Sequence, residues 1–385
     1  LSLNGGSSSV KFALYEDAEP LAKLASGTLD RIGTKGATLT IKGPDGNIQK
    51  EQTSDAGDVH DAAGQIFDEL EALPQFSGLT AVGHRIVHGM NHTEPEKITP
   101  DLLAELRRIT PYDPDHLPTE IKLIEAADKR YPKIPQVACF DTAFHRTMPR
   151  VAKLLPIPRK YDAKGVQRYG FHGLSYAFLM EELAKLGDPA AKKGKVILAH
   201  LGSGASMAAV LDGHSVDTSM GFTPTGGLVM ATRTGDLDPG ILSFLARTDG
   251  MTPTQFQDMV NHKSGLLGIS EISSDVRDLL EQESTDVRAK EAIDVFCYQA
   301  KKWIGAFASA LGGLDTLVFA GGIGENSAVV RERICADLGF LGIDICETLN
   351  NQNQSLISRV DAKVSIRVIR TDEELMIARS VIRLL

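Results

Sequence analysis

Cysteine is scarce: four in 385 residues, Cys139, Cys297, Cys335 and Cys346, with no two at CxxC spacing. So sparse a set excludes a disulfide framework and reads as reduced, cytosolic thiols. No run of about 18 apolar residues occurs, which excludes a helix of that kind crossing a membrane. No basic-then-apolar leader opens the chain, so no secretory signal is expected. Basic charge is also short: 41 Lys and Arg stand against 50 Asp and Glu, a net charge of −9. Nucleic-acid binders concentrate basic charge, so no such partner is expected. An acidic protein can still hold a local cationic site for an anionic substrate. Low-complexity segments and long linkers are absent. The chain begins at Leu1, without methionine and inside what reads as a strand, so residues ahead of it are expected to be missing.

What is present describes an ordinary globular protein: 42% apolar and 24% charged residues. Its length exceeds one compact core and predicts two domains. Val10, Phe12 and Leu14 alternate with small or polar residues, the period of a strand. Further strands are predicted at 28–32, 37–42, 80–87 and 135–140, with a turn at 44–46 and helices near 58–73, 99–109 and 117–130. A second series starts with strands at 196–201 and 207–211 and helices near 239–248 and 253–262. Ile293, Phe296, Cys297, Ala300, Ile304, Phe307 and Leu311 keep helical spacing over 287–312. A strand at 316–320, a glycine-rich turn, a helix from Ser327, a strand at 364–369 and a helix from Asp372 complete an α/β pattern.

One plan occurs twice. LSLNGGSSSVKFALYE at the start and LAHLGSGASMAAVLDG at 198–213 each give a strand, a turn of Gly and Ser, and an alternating strand. Two copies of one phosphate-cradling hairpin imply two related domains, although short Gly/Ser turns also repeat by chance.

Three glycine-rich turns carry the first chemical signal. Asn4-Gly5-Gly6-Ser7-Ser8-Ser9 leads into Val10 and Lys11. Its glycines let the backbone approach a phosphate, and its hydroxyls and lysine add donors. It is not a Walker A loop, because GxxxxGK[ST] is absent and a strand follows. His200-Leu201-Gly202-Ser203-Gly204 is the second turn. Gly321-Gly322-Ile323-Gly324-Glu325-Asn326 is the third; it lies between a strand and a helix, where free N–H groups and the helix dipole favour an anion. Each alone reads equally well as a flexible turn. Three in one chain point to a nucleotide.

Arg85 (in GHRIVHG) and Arg233 (in TRTGD) can grip carboxylate or phosphoryl oxygens with a planar fork, although a lone arginine is more often a structural ion pair. His172 lies between Phe171 and Gly173, where it could equally be a satisfied core histidine. Asp141 follows an apolar strand, a position that holds ligands in α/β folds but also caps helices. Thr371 and Glu374 are expected to form a capping box. That leaves Glu373 for Mg²⁺, or simply as a favourable charge in the first helical turn.

These motifs, in this order, resemble the acetate kinase family: NGGSSSVKF, GHRIVHG, FDTAFHRTMP, RYGFHG, HLGSG, TSMGFTP, ATRTGDLDPG, GGIGENS and TDEEL, running from residue 4 to 375. The resemblance implies an α/β, duplicated ribonuclease-H-like fold of the actin, Hsp70 and sugar-kinase kind, with two domains closing on a nucleotide cleft. It implies an N-terminal domain of 1–143 plus 372–385 on the carboxylate side. It also implies a C-terminal domain of 144–371 that binds ATP and forms a homodimer. Asn4, Ser7, Ser9 and Lys11 would belong to the first phosphate hairpin, and Lys11 would contact ATP. Asn4 and Glu373 would hold Mg²⁺, or Mn²⁺ in its place. Arg85, His116, Asp141, His172 and Arg233 would act in catalysis. Arg85, Val87, Phe171 and Pro224 would hold the acceptor. His200, Leu201, Gly202, Ser203 and Gly204, with Asp275, Val276 and Arg277 and with Gly322, Ile323, Gly324, Glu325 and Asn326, would bind ATP. Three positions depart from the family's pattern: Asp115 stands where a leucine lines the acyl pocket, Ser203 replaces an asparagine, and Tyr176 replaces a second histidine.

The expected activity is a cytoplasmic, ATP-dependent phosphoryl transfer to a short-chain carboxylate, acetate first and propionate as the alternative. A nucleotide-driven binding module of the Hsp70 or actin kind is the reading from another class. It would have no use for Arg85, His172 and Arg233 together.

Overall fold

A computed structural model describes residues 1–385 except Ser7, Glu19, Gln75 and Ser77. The chain divides into two compact units, Leu1–Ala143 with Asp372–Leu385, and Phe144–Thr371.

The first unit is built on eight strands: β1 (Ser2–Gly5), β2 (Ser9–Tyr15), β3 (Lys23–Asp30), β4 (Ala37–Lys42), β5 (Ile48–Ser54), β6 (Val82–Ile86), β7 (Glu96–Lys97) and β8 (Gln136–Phe140). They form one sheet in the order β5-β4-β3-β2-β1-β6-β8-β7. β1 to β5 meander antiparallel, whereas β1, β6 and β8 run parallel. Val10, Phe12 and Leu14 are buried as their alternation predicts, among residues of the helices Val59–Glu71 and Leu117–Arg130. Ala13 is buried as well. The helix Glu373–Leu384 covers the opposite face, and a Cβ at Gly83 would lie only 2.5 Å from its Ile377 side chain. The strand expected at 28–32 starts earlier, at Lys23. β5 was not anticipated: IQKEQTS is polar because it is an exposed edge strand.

The second unit has β9 (Lys195–Leu201), β10 (Ala205–Leu211), β11 (His214–Thr218), β12 (Thr316–Ala320) and β13 (Ser365–Val368), in the order β11-β10-β9-β12-β13. β9, β10 and β11 are antiparallel, and β9, β12 and β13 parallel. The helix Val287–Leu311 buries Ile293, Phe296, Cys297, Ala300, Ile304, Phe307 and Leu311, the stripe read from the sequence. It stops at Gly312, whose left-handed φ of 67° few other residues adopt. The glycine-rich segment after β12 is itself a short helix, Gly321–Asn326, not an open turn. Ser327 then caps the helix Ala328–Cys335.

The two sheets share a core. β3-β2-β1-β6-β8 in the first unit and β11-β10-β9-β12-β13 in the second have the same order and the same antiparallel and parallel pairings. This is the ribonuclease-H-like sheet, present twice. Among the described residues no helix is long and apolar enough to cross a membrane.

Candidate active site

In the first unit, the hairpin β1–β2 and the carboxyl ends of β6 and β8 bring charged groups together. Asn4 pairs across the hairpin with the exposed Lys11. Arg85 and Asp141 come from the parallel strands β6 and β8, at the end where α/β sheets place ligands. Arg85 donates from Nε and Nη2 to one oxygen of the buried Asp141, at 3.1 and 2.6 Å, and from Nη1 to Asn4 Oδ1 at 3.2 Å. Asn4 in turn donates from Nδ2 to Glu373 Oε2 and Glu374 Oε1, both at 3.0 Å. Burial disfavours the charge on Arg85, but Asp141 and then Glu373 more than offset it, and its pKa is raised. Burial, followed by repulsion from Glu373, raises the pKa of the Glu374 carboxyl.

The expected capping box at Thr371 and Glu374 is not formed. Asp372 caps the last helix by accepting from the Leu375 N–H at 2.8 Å. Asp is an equally good cap, and it sits one residue closer to the helix. That frees Glu374 for Asn4, while the Thr371 hydroxyl meets Ser175 Oγ at 2.8 Å.

Beside Arg85, the Val87 N–H donates to both oxygens of the buried Glu120, at 3.0 and 3.2 Å. His116 is buried at the head of the same helix, with Nδ1 2.8 Å from Asp113 Oδ1. Asp113 Oδ2 is buried without a hydrogen-bond partner. Asp115 is only half-buried, whereas Leu117 lies in the core with Ile86 and Phe140.

In the second unit the groups are mostly imidazoles, hydroxyls and backbone. His172 holds a left-handed φ of 61° at the head of the helix Gly173–Lys185. Its Nδ1 is 2.8 Å from Ser206 Oγ, which the Tyr176 hydroxyl also meets. The His172 ring stacks on His200 with centroids 4.3 Å apart. His200 Nδ1 is 2.8 Å from Ser175 Oγ. The turn Gly202–Gly204 lies among these groups. A Cβ at Gly204 would lie 3.4 Å from His172 Nε2 and 3.9 Å from Arg233 Nη1, and one at Gly202 would lie 3.9 Å from the Gly322 nitrogen. A Cβ at Gly321 would stand 2.7 Å from the Leu201 carbonyl, so only glycine lets β12 turn under the end of β9.

Arg233 donates to the Pro224 carbonyl at 3.2 Å. Its loop is pinned by backbone bonds from Ala231 to Ser203, Leu266 to Met230 and Leu267 to Ala231. Gly265 allows that approach: at φ 62°, a Cβ there would lie 2.2 Å from the Met230 carbonyl. Phe171 is buried, and its carbonyl lies 3.1 Å from His145 Nε2. His145 Nδ1 is 2.9 Å from Ser215 Oγ. Burial lowers the pKa of His145 to about 4, so it is neutral and serves as a structural bridge.

Of the residues expected to act, the structure groups Asn4, Lys11, Arg85, Val87, His116, Asp141 and Glu373 in the first unit. In the second it groups His172, His200, Leu201, Gly202, Ser203, Gly204, Pro224 and Arg233 with the Gly322–Asn326 segment. Ser7 lies outside the described residues. Two of the segments expected to bind ATP also make bonds within the fold. The Glu325 carboxylate accepts from the backbone N–H groups of Gly321 and Thr371, at 3.0 and 3.1 Å, and so ties the fold together. Asp275 caps the helix Val276–Gln282, and Arg277, largely exposed, folds back on it at 2.5 Å. Sequence reasoning missed Glu120, Ser206, Gly265 and Arg331. The last is fully buried and donates to the carbonyls of Gly324 and Glu325 at 2.8 and 3.1 Å, clamping the glycine-rich helix.

Among the described residues no group of three His, Cys, Asp or Glu is preformed around a metal ion. The residues present nevertheless fit Mg²⁺, which takes one or two carboxylates and completes its shell with phosphate and water oxygens. Glu373 and Glu374 supply hard oxygens beside Asn4, whose amide nitrogen bonds to both.

A duplicated ribonuclease-H-like sheet, glycine turns suited to phosphates and an arginine paired with a buried carboxylate define a phosphotransferase of the sugar-kinase and actin type. Comparisons with known proteins narrow this. The acetokinase family matches residues 1–379. The acetate kinase of Rhodopseudomonas palustris is 43% identical over 391 residues, spanning all of this chain and 98% of its own. The propionate kinase of Citrobacter rodentium is 41% identical over 392 residues, spanning all of this chain and 96% of its own. The crystal structure of Porphyromonas gingivalis acetate kinase superposes with a TM-score of 0.90 at 37% identity, covering all of this chain and 98% of that one. The chain belongs to the acetokinase family, and its activity is ATP-dependent phosphoryl transfer to a carboxyl group.

Proposed function

We propose that the protein interconverts acetate plus ATP and acetyl phosphate plus ADP by direct in-line transfer, with the residues of both units in the roles that follow. A carboxylate oxygen of acetate attacks the γ-phosphorus of ATP. The new P–O bond forms as the bond to the β–γ bridging oxygen breaks, and ADP leaves. Acetate is already ionised at neutral pH, with a carboxyl pKa near ~4, so no general base is needed. The difficulty is bringing anions together, and catalysis is positioning and charge neutralisation.

The observation that carries this reading is Arg85, partly buried and oriented by the buried Asp141 and by Asn4. Asp141 holds the guanidinium plane so that it can receive the acceptor carboxylate. Arg233 and His172 stabilise the transferring phosphoryl group. His172 presents an Nε2–H donor when Ser206 donates to Nδ1. His116, steadied by Asp113, adds a polar group on the acceptor side. Val87, Phe171 and Pro224 give apolar contacts to the acyl group. Lys11, His200, Leu201, Gly202, Ser203, Gly204, the Asp275–Arg277 turn and Gly322–Asn326 hold ATP. Mg²⁺ bound by Asn4 and Glu373 would neutralise charge on the β- and γ-phosphates.

The assembly is a homodimer in the cytoplasm. In support, the helix Gly240–Thr248 has no buried residue, and Leu237 and Phe244 are exposed. Propionate is the second substrate reading, since a propionate kinase is nearly as similar as the acetate kinases. One methylene is worth only about 1–3 kcal/mol in an apolar pocket.

A hydroxamate assay with ATP and Mg²⁺, run with acetate, propionate and butyrate, tests the reading because hydroxylamine traps the acyl phosphate itself. Product with acetate, lost in Arg85→Ala and Arg233→Ala, is expected. No product with any acid, despite ATP binding, would overturn it.

A further inference from the structure

Glu120 is a carboxylate of the first unit's polar cluster to which the reaction assigns no task. It is almost fully buried, on the first turn of the helix Leu117–Arg130. Both its oxygens accept from a single donor, the Val87 N–H. Its stem lies beneath the first hairpin: a Cβ at Gly5 would stand 3.9 Å from Glu120 Cγ, 3.7 Å from Thr119 and 2.7 Å from Leu123 Cδ1. One side chain therefore touches the strand end that carries Arg85 and Val87 and also underlies the turn that carries Asn4. Those segments meet again where Arg85 Nη1 donates to Asn4 Oδ1.

Burying a carboxylate is costly unless it is strongly satisfied. Here burial and the neighbouring Asp113 push the Glu120 carboxyl well above the usual range, against the pull of Arg85 and the Val87 N–H. A glutamine would give the same acceptor at the same reach without that cost. What the geometry uses is an acceptor oxygen at the end of a side chain of this length.

We propose that Glu120 is a positioning residue for the carboxylate acceptor: by holding the Val87 N–H it fixes the β6 end, and hence Arg85, against the Asn4 hairpin. The proposal rests on Arg85 being the acceptor-binding group. Its effect falls on KM for the carboxylate and leaves KM for ATP alone.

The test compares Glu120→Gln, Glu120→Asp and Arg85→Lys in the full chain by the hydroxamate assay, varying acetate and ATP separately. Glu120→Gln is expected within about twofold of the parent in every constant. Glu120→Asp keeps the charge but retreats by one methylene, and should raise KM for acetate about tenfold with KM for ATP unchanged. Both variants should melt as cooperatively as the parent. A parental KM for acetate in Glu120→Asp overturns the proposal. So does an impaired Glu120→Gln beside an intact Glu120→Asp, since charge and not reach would then matter. If both raise the two KM values alike, Glu120 is only structural and the proposal fails. Arg85→Lys separates the levels. A raised KM for acetate there preserves the acceptor assignment whatever Glu120 does, and an unchanged one removes that assignment and the proposal together.

Discussion

The two units repeat one strand order but furnish it with different chemistry. In the first, the strand ends hold full charges: Arg85 against Asp141, with Asn4 linking that pair to Glu373 and Glu374. In the second, the equivalent hairpin is surrounded by imidazoles, hydroxyls and bare backbone, with the Arg233 guanidinium beside the turn. A fold can thus be duplicated while its two sites diverge. Parallel strands place their carboxyl ends alike in both copies, and the residues at those ends are then free to change.

A second pair sharpens the contrast. The second unit has its own buried ion pair, Arg367 to Asp188 at 2.7 Å, nearly as buried as Arg85 and Asp141. Asp188 also accepts from Thr316 at the start of β12, the end of the strand away from the glycine turn. Equal burial at opposite strand ends should give unequal consequences.

Breaking the first pair should have the largest effect. Asp141→Ala is expected to lower kcat on the order of a hundred- to a thousandfold, measured by acyl-hydroxamate formation under saturating substrates. A fall under tenfold would remove Asp141 from the catalytic arrangement. Asp188→Ala should instead cost about 3 kcal/mol of stability, because a largely buried arginine loses its partner. Urea unfolding would show the loss, while kcat of the folded fraction stays parental. A large fall in kcat there would erase the distinction between the two pairs.

Next comes pH. Burial depresses both His84 in the first unit and His145 in the second to about 4. Each is neutral when folded, so its stabilisation is whole above the unfolded pKa near 6.5 and is lost as pH falls from there towards 4. Each can withdraw up to about 3 kcal/mol at the low end. His145 bridges Ser215 and the Phe171 carbonyl, whereas His84 Nδ1 has no hydrogen-bond partner. Unfolding at pH 7 and pH 5 should show His145→Asn costing stability at pH 7 but flattening the pH slope. The smallest effect is expected from Tyr176→Phe, which removes one hydroxyl from Ser206: about 1 kcal/mol of stability and a few-fold change in kcat. A larger loss of kcat would mean that the orientation of His172 depends on this hydroxyl.

Much of the site was legible because its parts are local. Glycine turns after strands, arginines at strand ends and the helical stripe of residues 287–311 each leave a pattern within a few positions. Glu120 was also within reach: Leu117, Ile121 and Ile124 mark a buried face, and residue 120 falls on it at the i+3 position. A carboxylate on an apolar stripe is the signal that was passed over. The capping box failed because two candidate caps, Thr371 and Asp372, stand side by side, and only the path of the backbone chooses between them. Arg331 gave no signal, since its partners at 350 and 353 are distant in sequence and mostly neutral.

The sequence by itself determined the α/β class, the repeated hairpin, the glycine turns and the family, because periodicity and backbone permissiveness are local properties of residues. Only the tertiary structure decided which carboxylates meet Arg85, that Glu374 faces Asn4 and does not cap its helix, and that Glu325 accepts from the Gly321 and Thr371 N–H groups. Those outcomes depend on which strand ends come together, and a charge takes its role from the partner that burial forces on it.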